Sequence, residues 1–296
     1  MSTGTPRRFH IAVASGKGGT GKTTVAIGMA RTIGETQLLD ADAEEPNIHL
    51  FFPVQWDKET PVQRLIPEVN FDRCTYCGRC ASTCQFNALV VFGQKLLFFE
   101  ELCHGCGACS LVCPEKAVTE KPRRIGVIRG PVQWGRTLLW EARLEVGEAS
   151  GTQLIREMKH IIRQDLPAVI DAAPGASCPV MEAIKGSDYC LLVTEPTPFG
   201  LSDLQIAVEA VRELGVPLGV VINRSTGEDH LIDEFCAQAQ LPILARIPFN
   251  RAAAEAYSRG QHPVDAVPGF AEIFAGLWRA LQAQLEVQLQ KEGFRA

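Results

Sequence analysis

The chain of 296 residues is long enough for two domains of ordinary size, or for one large domain carrying a small insert. Its formal net charge of −5 leaves no basic footprint for nucleic acid, and no apolar run approaches the ~20 residues of a membrane span. The first apolar segment, Phe9 to Ala14, is too short for a signal h-region, so the chain reads as cytoplasmic, and its eleven cysteines, eight of them in two runs, argue for metal ligands over disulfides because that compartment keeps thiols reduced.

In chain order, Phe9 to Ala14 predicts a strand, a glycine-rich loop follows, and Thr23 to Gly34 has helical apolar spacing. Leu38 to Asp42 predicts a second strand ending in acids. From Phe51 to Glu68 the pattern dissolves among prolines, and an insert begins near Val69. The insert declares itself by repetition: Cys74, Cys77, Cys80 and Cys84 shifted by 29 residues land on Cys103, Cys106, Cys109 and Cys113, and Ala88 lands on Ala117. After Glu120 the basic stretch Lys121 to Arg124 leads back to the larger fold. There follow a helix over Thr152 to Asp165, strands at Ala168 to Asp171 and Tyr189 to Thr194, a helix over Leu201 to Leu214 and a strand at Leu218 to Asn223. A helix over Leu231 to Gln240, a strand at Ile243 to Ile247 and a helix over Ala271 to Leu289 complete the pattern. Continuous apolar strands alternating with amphipathic helices predict a doubly wound α/β fold with a mostly parallel sheet. The expected domains are 1–68 and 121–296, forming one sheet, and the insert 69–120.

Residues Gly16, Lys17, Gly18, Gly19, Thr20, Gly21, Lys22 and Thr23 fit the phosphate-loop pattern GxxxxGK[ST] between a predicted strand and a predicted helix. Glycines let successive backbone N–H groups turn toward phosphates, and the N-terminus of the following helix, with Thr24 in its first turn, adds favourable partial charge. Lys22 is then placed for the β- and γ-phosphates, and the Thr23 hydroxyl for Mg²⁺. Asp171 closes the apolar run AVID and suits an outer contact to Mg²⁺. Asp40 and Asp42 lie where one carboxylate can hold metal-bound water and the other can orient an attacking water. Asp42 alone also fits an ordinary turn aspartate.

Lys17 with Lys22 gives a KGGxGKT loop that resembles the deviant Walker A motif of the MinD/ParA/Mrp superfamily, to which the nitrogenase iron protein belongs. The resemblance implies an ATP-sandwich homodimer in which Lys17 reaches the partner's nucleotide and Lys17, Lys22 and Asp42 serve catalysis. DADAEEPN and VIDAAPG look like the superfamily's switch segments. VINRS at Val221 to Ser225 and IPFN at Ile247 to Asn250 resemble its adenine pocket, implying contacts to the base from Asn223, Pro248 and Phe249. No NKxD guanine motif is present, which favours ATP. The motif order, including TEPTPFGLSDL at Thr194 to Leu204, most resembles superfamily ATPases that contain an inserted ferredoxin domain.

The cysteine runs resemble the CxxCxxCxxxCP run of bacterial ferredoxins, in which the fourth cysteine serves the other [4Fe–4S] cluster. Carried over, the resemblance implies one cluster on Cys74, Cys77, Cys80 and Cys113 and a second on Cys84, Cys103, Cys106 and Cys109, in a small α+β domain. The first run ends in Cys84-Gln85 where the ferredoxin pattern has proline. Paired CxxC units also suit zinc, although the third and fourth cysteines at this spacing, repeated, favour iron–sulfur. His104 is expected to pack near the cysteines rather than to ligate. Cys178, Cys190 and Cys236 are expected to be buried, the first because the segment Gly126 to Gly151 supplies no companion thiol for a bridging metal group.

The function these features imply is a dimeric ATP-hydrolysing switch that gates electron transfer through two clusters to a redox protein. An iron–sulfur carrier of the Mrp type is the alternative, though no CxxC lies outside the insert. A positioning ATPase of the MinD type would use the last helix as an anchor, but its apolar face (Phe270, Ile273, Phe274, Leu277, Leu281, Leu285) equally suits a core-packed helix.

Overall fold

Strand β1 (His10–Ala14) shows how the sheet is built: Ile11 and Val13 enter one apolar cluster and Ala12 and Ala14 the other, because successive side chains of a strand point to opposite faces. The computed structural model describes the backbone of residues 9–293 and the side chains of residues 9–288. After β1 come α1 (Lys22–Ile33), β2 (Thr36–Ala41), a short 3₁₀ turn at Ile48–Phe51 and β3 (Glu59–Val69). The segment between β3 and β6 carries α2 (Arg79–Thr83), β4 (Leu89–Phe92), β5 (Lys95–Phe98) and α3 (Ala108–Leu111). The chain continues through β6 (Val118–Trp134), β7 (Thr137–Leu144), α4 (Thr152–Ile161), β8 (Ala168–Ala172), α5 (Cys178–Ile184), β9 (Tyr189–Thr194) and α6 (Pro198–Glu213). It ends with β10 (Leu218–Ser225), α7 (His230–Gln238), β11 (Ile243–Pro248), α8 (Arg251–Ser258), α9 (Pro263–Ala266) and α10 (Phe270–Gly293).

Among the described residues the main sheet has nine strands in the order β11-β10-β9-β1-β8-β2-β7-β6-β3. The first seven are parallel to their neighbours, and β6 and β3 extend the edge antiparallel. Helices α4 to α7 cover one face, and α1 and α10 the other. The strands buried on both faces are the ones whose sequences read as unbroken apolar runs. Phe270, Phe274, Leu277 and Leu281 of α10 are buried in that second layer, so this face packs the core rather than standing free as an anchor. No described helix is long and apolar enough to cross a membrane.

Three expectations need correcting. The stretch Phe51 to Glu68 is not patternless: in β3 buried Val62, Arg64 and Ile66 alternate with exposed Pro61, Gln63 and Leu65, and Pro61 and Pro67 are tolerated because β3 is the sheet edge. Between Glu120 and Thr152, where no element was expected, the structure has the long strand β6 and its partner β7. Helix α4 stops at Ile161, short of Asp165.

Strands β3 and β6 pair from Glu59 opposite Arg129 to Val69 opposite Val118, so the cysteine segment leaves and rejoins the sheet on adjacent strands. Within it the 29-residue repeat is structural. Tyr76 and Gly105, Gly78 and Gly107, and Asn87 and Lys116 are matched pairs with positive φ. Ala88 donates its N–H to Cys84 Sγ at 3.3 Å and Ala117 donates to Cys113 Sγ at 3.2 Å, in the same relation. Both alanines are buried.

Candidate functional site

The loop between β1 and α1 lies at the carboxyl ends of the central parallel strands, where open α/β sheets bind ligands. Helix α1 starts at Lys22 with no side-chain cap, which leaves its first N–H groups free to face an anion. Gly21 makes this turn possible: its φ of 94° disfavours any side chain, and a Cβ there would strike the Asn223 carboxamide. Gly16 is equally constrained, because a Cβ would strike the Asp203 carbonyl on α6.

Three carboxylates and one lysine, Lys22, converge on the loop. Asp171, at the end of β8, is buried, and burial pushes its carboxyl up to about 7 while the Thr23 hydroxyl and the Lys22 ammonium pull the other way. Its Oδ1 is buried and accepts no hydrogen bond among the described residues. Lys22 is itself buried, which lowers its pKa against the attraction of Asp171 and Asp42. Asp40 sits opposite Asp171 in the β2–β8 register. Burial and the Asp171 charge hold the Asp40 carboxyl well above the usual range, although Asn47 and Ile48 donate backbone N–H bonds to its Oδ2 at 2.8 and 2.9 Å. Asp42 N–H donates to the other oxygen at 3.3 Å, so Asp40 anchors the loop 42–48 as well as facing the site. That anchoring was not visible in the sequence.

Asp42 is half-buried, and burial raises its carboxyl pKa against the pull of Lys22. It lines a cleft with about 560 Å³ of atom-free space, which is also lined by Ala173, Pro174 and Ser177 from the turn after β8 and Pro179 at the start of α5. The stretches DADAEEPN and VIDAAPG, singled out in the sequence, thus line one opening.

Lys17 stands apart from this group: its Nζ lies 3.7 Å from Glu195 Oε2, just beyond β9. Glu195 also pairs with Arg224 at 2.6 Å. Neither Glu195 nor Arg224 was anticipated, although both stand inside motifs singled out in the sequence, TEPTPFG and VINRS. Asn223, expected to contact a base, donates from Nδ2 to the Thr20 carbonyl at 2.7 Å and so braces the phosphate loop from β10. Pro248 closes β11, and Phe249 beside it is exposed and tied back to Ser225 O by its N–H at 2.9 Å.

The cysteine segment contains two separate cavities, each with about 350 Å³ of atom-free space. The first is lined by Cys74, Cys77, Cys80 and Cys113, the second by Cys84, Cys103, Cys106 and Cys109. Each cavity therefore takes three thiols from one run and the fourth from the other. Burial raises the thiol pKa of Cys80, Cys103 and Cys109, so metal binding there would release protons. No group of three or more His, Cys, Asp or Glu side chains among the described residues is arranged to hold a single metal ion. His104 stacks on Phe86 with ring centroids 3.7 Å apart.

Of the remaining cysteines, Cys190 and Cys236 are buried, and burial pushes the Cys236 thiol up to about 11. Cys178 contradicts its expectation: it is exposed at the first position of α5. The helix buries Val180, Ala183 and Ile184, and a residue at its start has no preceding turn to cover it.

The profile of the CobQ/CobB/MinD/ParA nucleotide-binding domain matches residues 11–264. MJ0579 of Methanocaldococcus jannaschii, an uncharacterized protein, is 29% identical over 263 residues, covering 85% of this chain and 90% of its own. The cell division ATPase MinD of Pyrococcus furiosus superposes with a TM-score of 0.59 at 20% identity, over 94% of this chain and all of its own. The septum site-determining protein MinD of Pyrococcus horikoshii, complexed with Mg-ADP, gives 0.55 at 20% identity over 92% and 94%. At these identities the two structures share the fold.

Proposed function

Because this chain belongs to the CobQ/CobB/MinD/ParA nucleotide-binding family, we propose that it is a homodimeric, Mg²⁺-dependent ATPase whose nucleotide state gates electron transfer to a redox protein through two [4Fe–4S] clusters. The observation that carries the redox half is the exchange of cysteines between runs: Cys113 lines the cavity of the first run and Cys84 that of the second. Reciprocal fourth ligands are the ferredoxin arrangement, and in a segment of this size the metal groups would substitute for a core it is too small to build. Cys74, Cys77, Cys80 and Cys113 would hold one cluster and Cys84, Cys103, Cys106 and Cys109 the other. When bound, such clusters supply one-electron transfer.

In the nucleotide site, backbone N–H groups of Gly18 to Thr24 would cradle the phosphates, with Lys22 against the β- and γ-phosphates. Thr23 and Asp171 fit a Mg²⁺ site: a cation there would compensate the buried Asp171 charge and occupy the side of its orphaned Oδ1. Asp42, which lines the same cleft as the turn after β8, would orient the attacking water. Lys17 would leave Glu195 to reach the partner's nucleotide when two copies close. Asp40 sits between the site and the loop it anchors, so a change at the γ-phosphate can move residues 42–48.

The test is a redox titration of the anaerobically reconstituted protein, containing about eight irons per chain, with no nucleotide, with ADP and with a non-hydrolysable ATP analogue. A nucleotide-dependent shift in midpoint potential or reduction rate is expected. Identical behaviour in all three states, with unchanged partner binding, defeats the gating reading, and failure to load iron and sulfide defeats the cluster reading.

A further inference from the structure

Among the described residues, the ion pair most buried on both sides joins the sheet to the cysteine segment. Arg64 on β3 is 4% exposed and Glu148, in the loop after β7, is 1% exposed. Arg64 Nη2 donates to Glu148 Oε2 at 2.6 Å, and Arg123 Nη2 on β6 reaches Oε1 at 2.9 Å. Arg123 Nη1 extends to Glu100 at 2.8 Å, three residues before Cys103. The stem of Arg64 lies so close to Gly105 that a Cβ there would overlap it, which places the arginine against the turn between Cys103 and Cys106. Its charge acts on both Cys103 and His104. Arg64 Nε is buried and has no hydrogen-bond acceptor among the described residues.

A buried guanidinium is costly unless negative charge faces it. Glu148 provides that charge, and the cysteine-lined second cavity borders Gly105, against which the Arg64 stem packs. We propose that Arg64 sets the reduction potential of the cluster in the second cavity, and that Glu148 limits the effect by offsetting part of the guanidinium charge. The proposal rests on the iron–sulfur reading above. One-electron reduction by an external low-potential reductant adds one negative charge to a thiolate-ligated cluster, so a fixed cation nearby favours the reduced form. The opposed signs of Arg64 and Glu148 then make opposed predictions. The first cavity does not border Gly105 and serves as an internal control.

The experiment is an anaerobic dithionite titration of the full-length, cluster-loaded protein, followed by electron paramagnetic resonance, for wild type, Arg64→Met, Arg64→Lys and Glu148→Gln. Arg64→Met should lower the reduced-to-oxidised ratio of one cluster about tenfold at a given potential, a shift of ~59 mV for one electron. Glu148→Gln should shift the same cluster the other way, Arg64→Lys should stay near wild type, and the second signal should not move. Should Arg64→Met fail to fold, the near-isosteric Glu148→Gln carries the test by the sign of its shift. Shifts of the same sign in the methionine and glutamine variants, equal shifts of both clusters, or no shift overturn the proposal while leaving the cluster reading intact. Wild type that loads no [4Fe–4S] cluster removes the reading and the proposal together.

Discussion

Replacing Asp171 by asparagine should stabilise the nucleotide-free protein, and by an amount that grows with pH. Burial lifts this carboxyl from 3.8 to about 7, with Asp42 adding to the rise, and Asp40 is its register partner on β2. A carboxyl whose folded pKa is raised weakens the fold as pH climbs, because the unfolded chain releases its proton first. The loss begins near the unfolded value of 3.8 and is complete once pH passes about 7. At ~1.4 kcal/mol per pKa unit, wild type would lose about 2 kcal/mol at pH 5 and about 4 kcal/mol at pH 8. Asparagine has nearly the same shape and none of this loss. The variant should therefore unfold later than wild type, with a Tm gap that widens by roughly 5 °C between pH 5 and pH 8. Thermal unfolding in chelator, without nucleotide, measures this directly. Adding Mg-ATP should then raise the Tm of wild type far more than that of the variant, because the cation satisfies a charge that asparagine lacks. A Tm gap that is absent, reversed or independent of pH would refute the argument that Asp171 is held in the site at a cost to the fold.

Other perturbations probe separate parts of the molecule. Gly21→Ala forces a side chain into φ 94° and onto the Asn223 amide, and should weaken nucleotide binding at least tenfold by calorimetry while costing about 1–2 kcal/mol of stability. Glu195→Gln releases Lys17 and Arg224 from their shared carboxylate. It should strengthen ATP-dependent dimerisation several-fold in sedimentation experiments, within the ~1 kcal/mol of a partly exposed ion pair. Cys113→Ser should remove the cluster signal associated with Cys74, Cys77 and Cys80, although Cys113 belongs to the second run; loss of the other signal would contradict the exchange. Lys159 Nζ donates to the carbonyls of Glu182, Ala183 and Lys185 at 2.8, 3.2 and 2.5 Å around the end of α5. Lys159→Met should cost about 1–3 kcal/mol in chemical denaturation and leave nucleotide affinity unchanged.

Much of this molecule was legible from residue spacing. The phosphate loop, the acids at the ends of β2 and β8 and the 29-residue cysteine repeat are short-range patterns, and the local geometry they require is written in adjacent residues. The central strands were legible because strands buried on both faces must be apolar throughout. Strands β3 and β6 were not, since their pairing joins Val69 to Val118 across the whole cysteine segment and their prolines mimic a loop. The same limit applies to single side chains. Nothing near Arg64 in the chain announces Glu148, nothing near Asn223 announces the Thr20 carbonyl, and only the packing of α5 leaves Cys178 exposed. By itself, then, the sequence determined which chemistry-bearing residues stand at which spacing, because that depends on neighbours along the backbone. The tertiary structure decided which of them are buried and which charges face each other, because burial and Coulomb interaction depend on distance in space rather than along the chain.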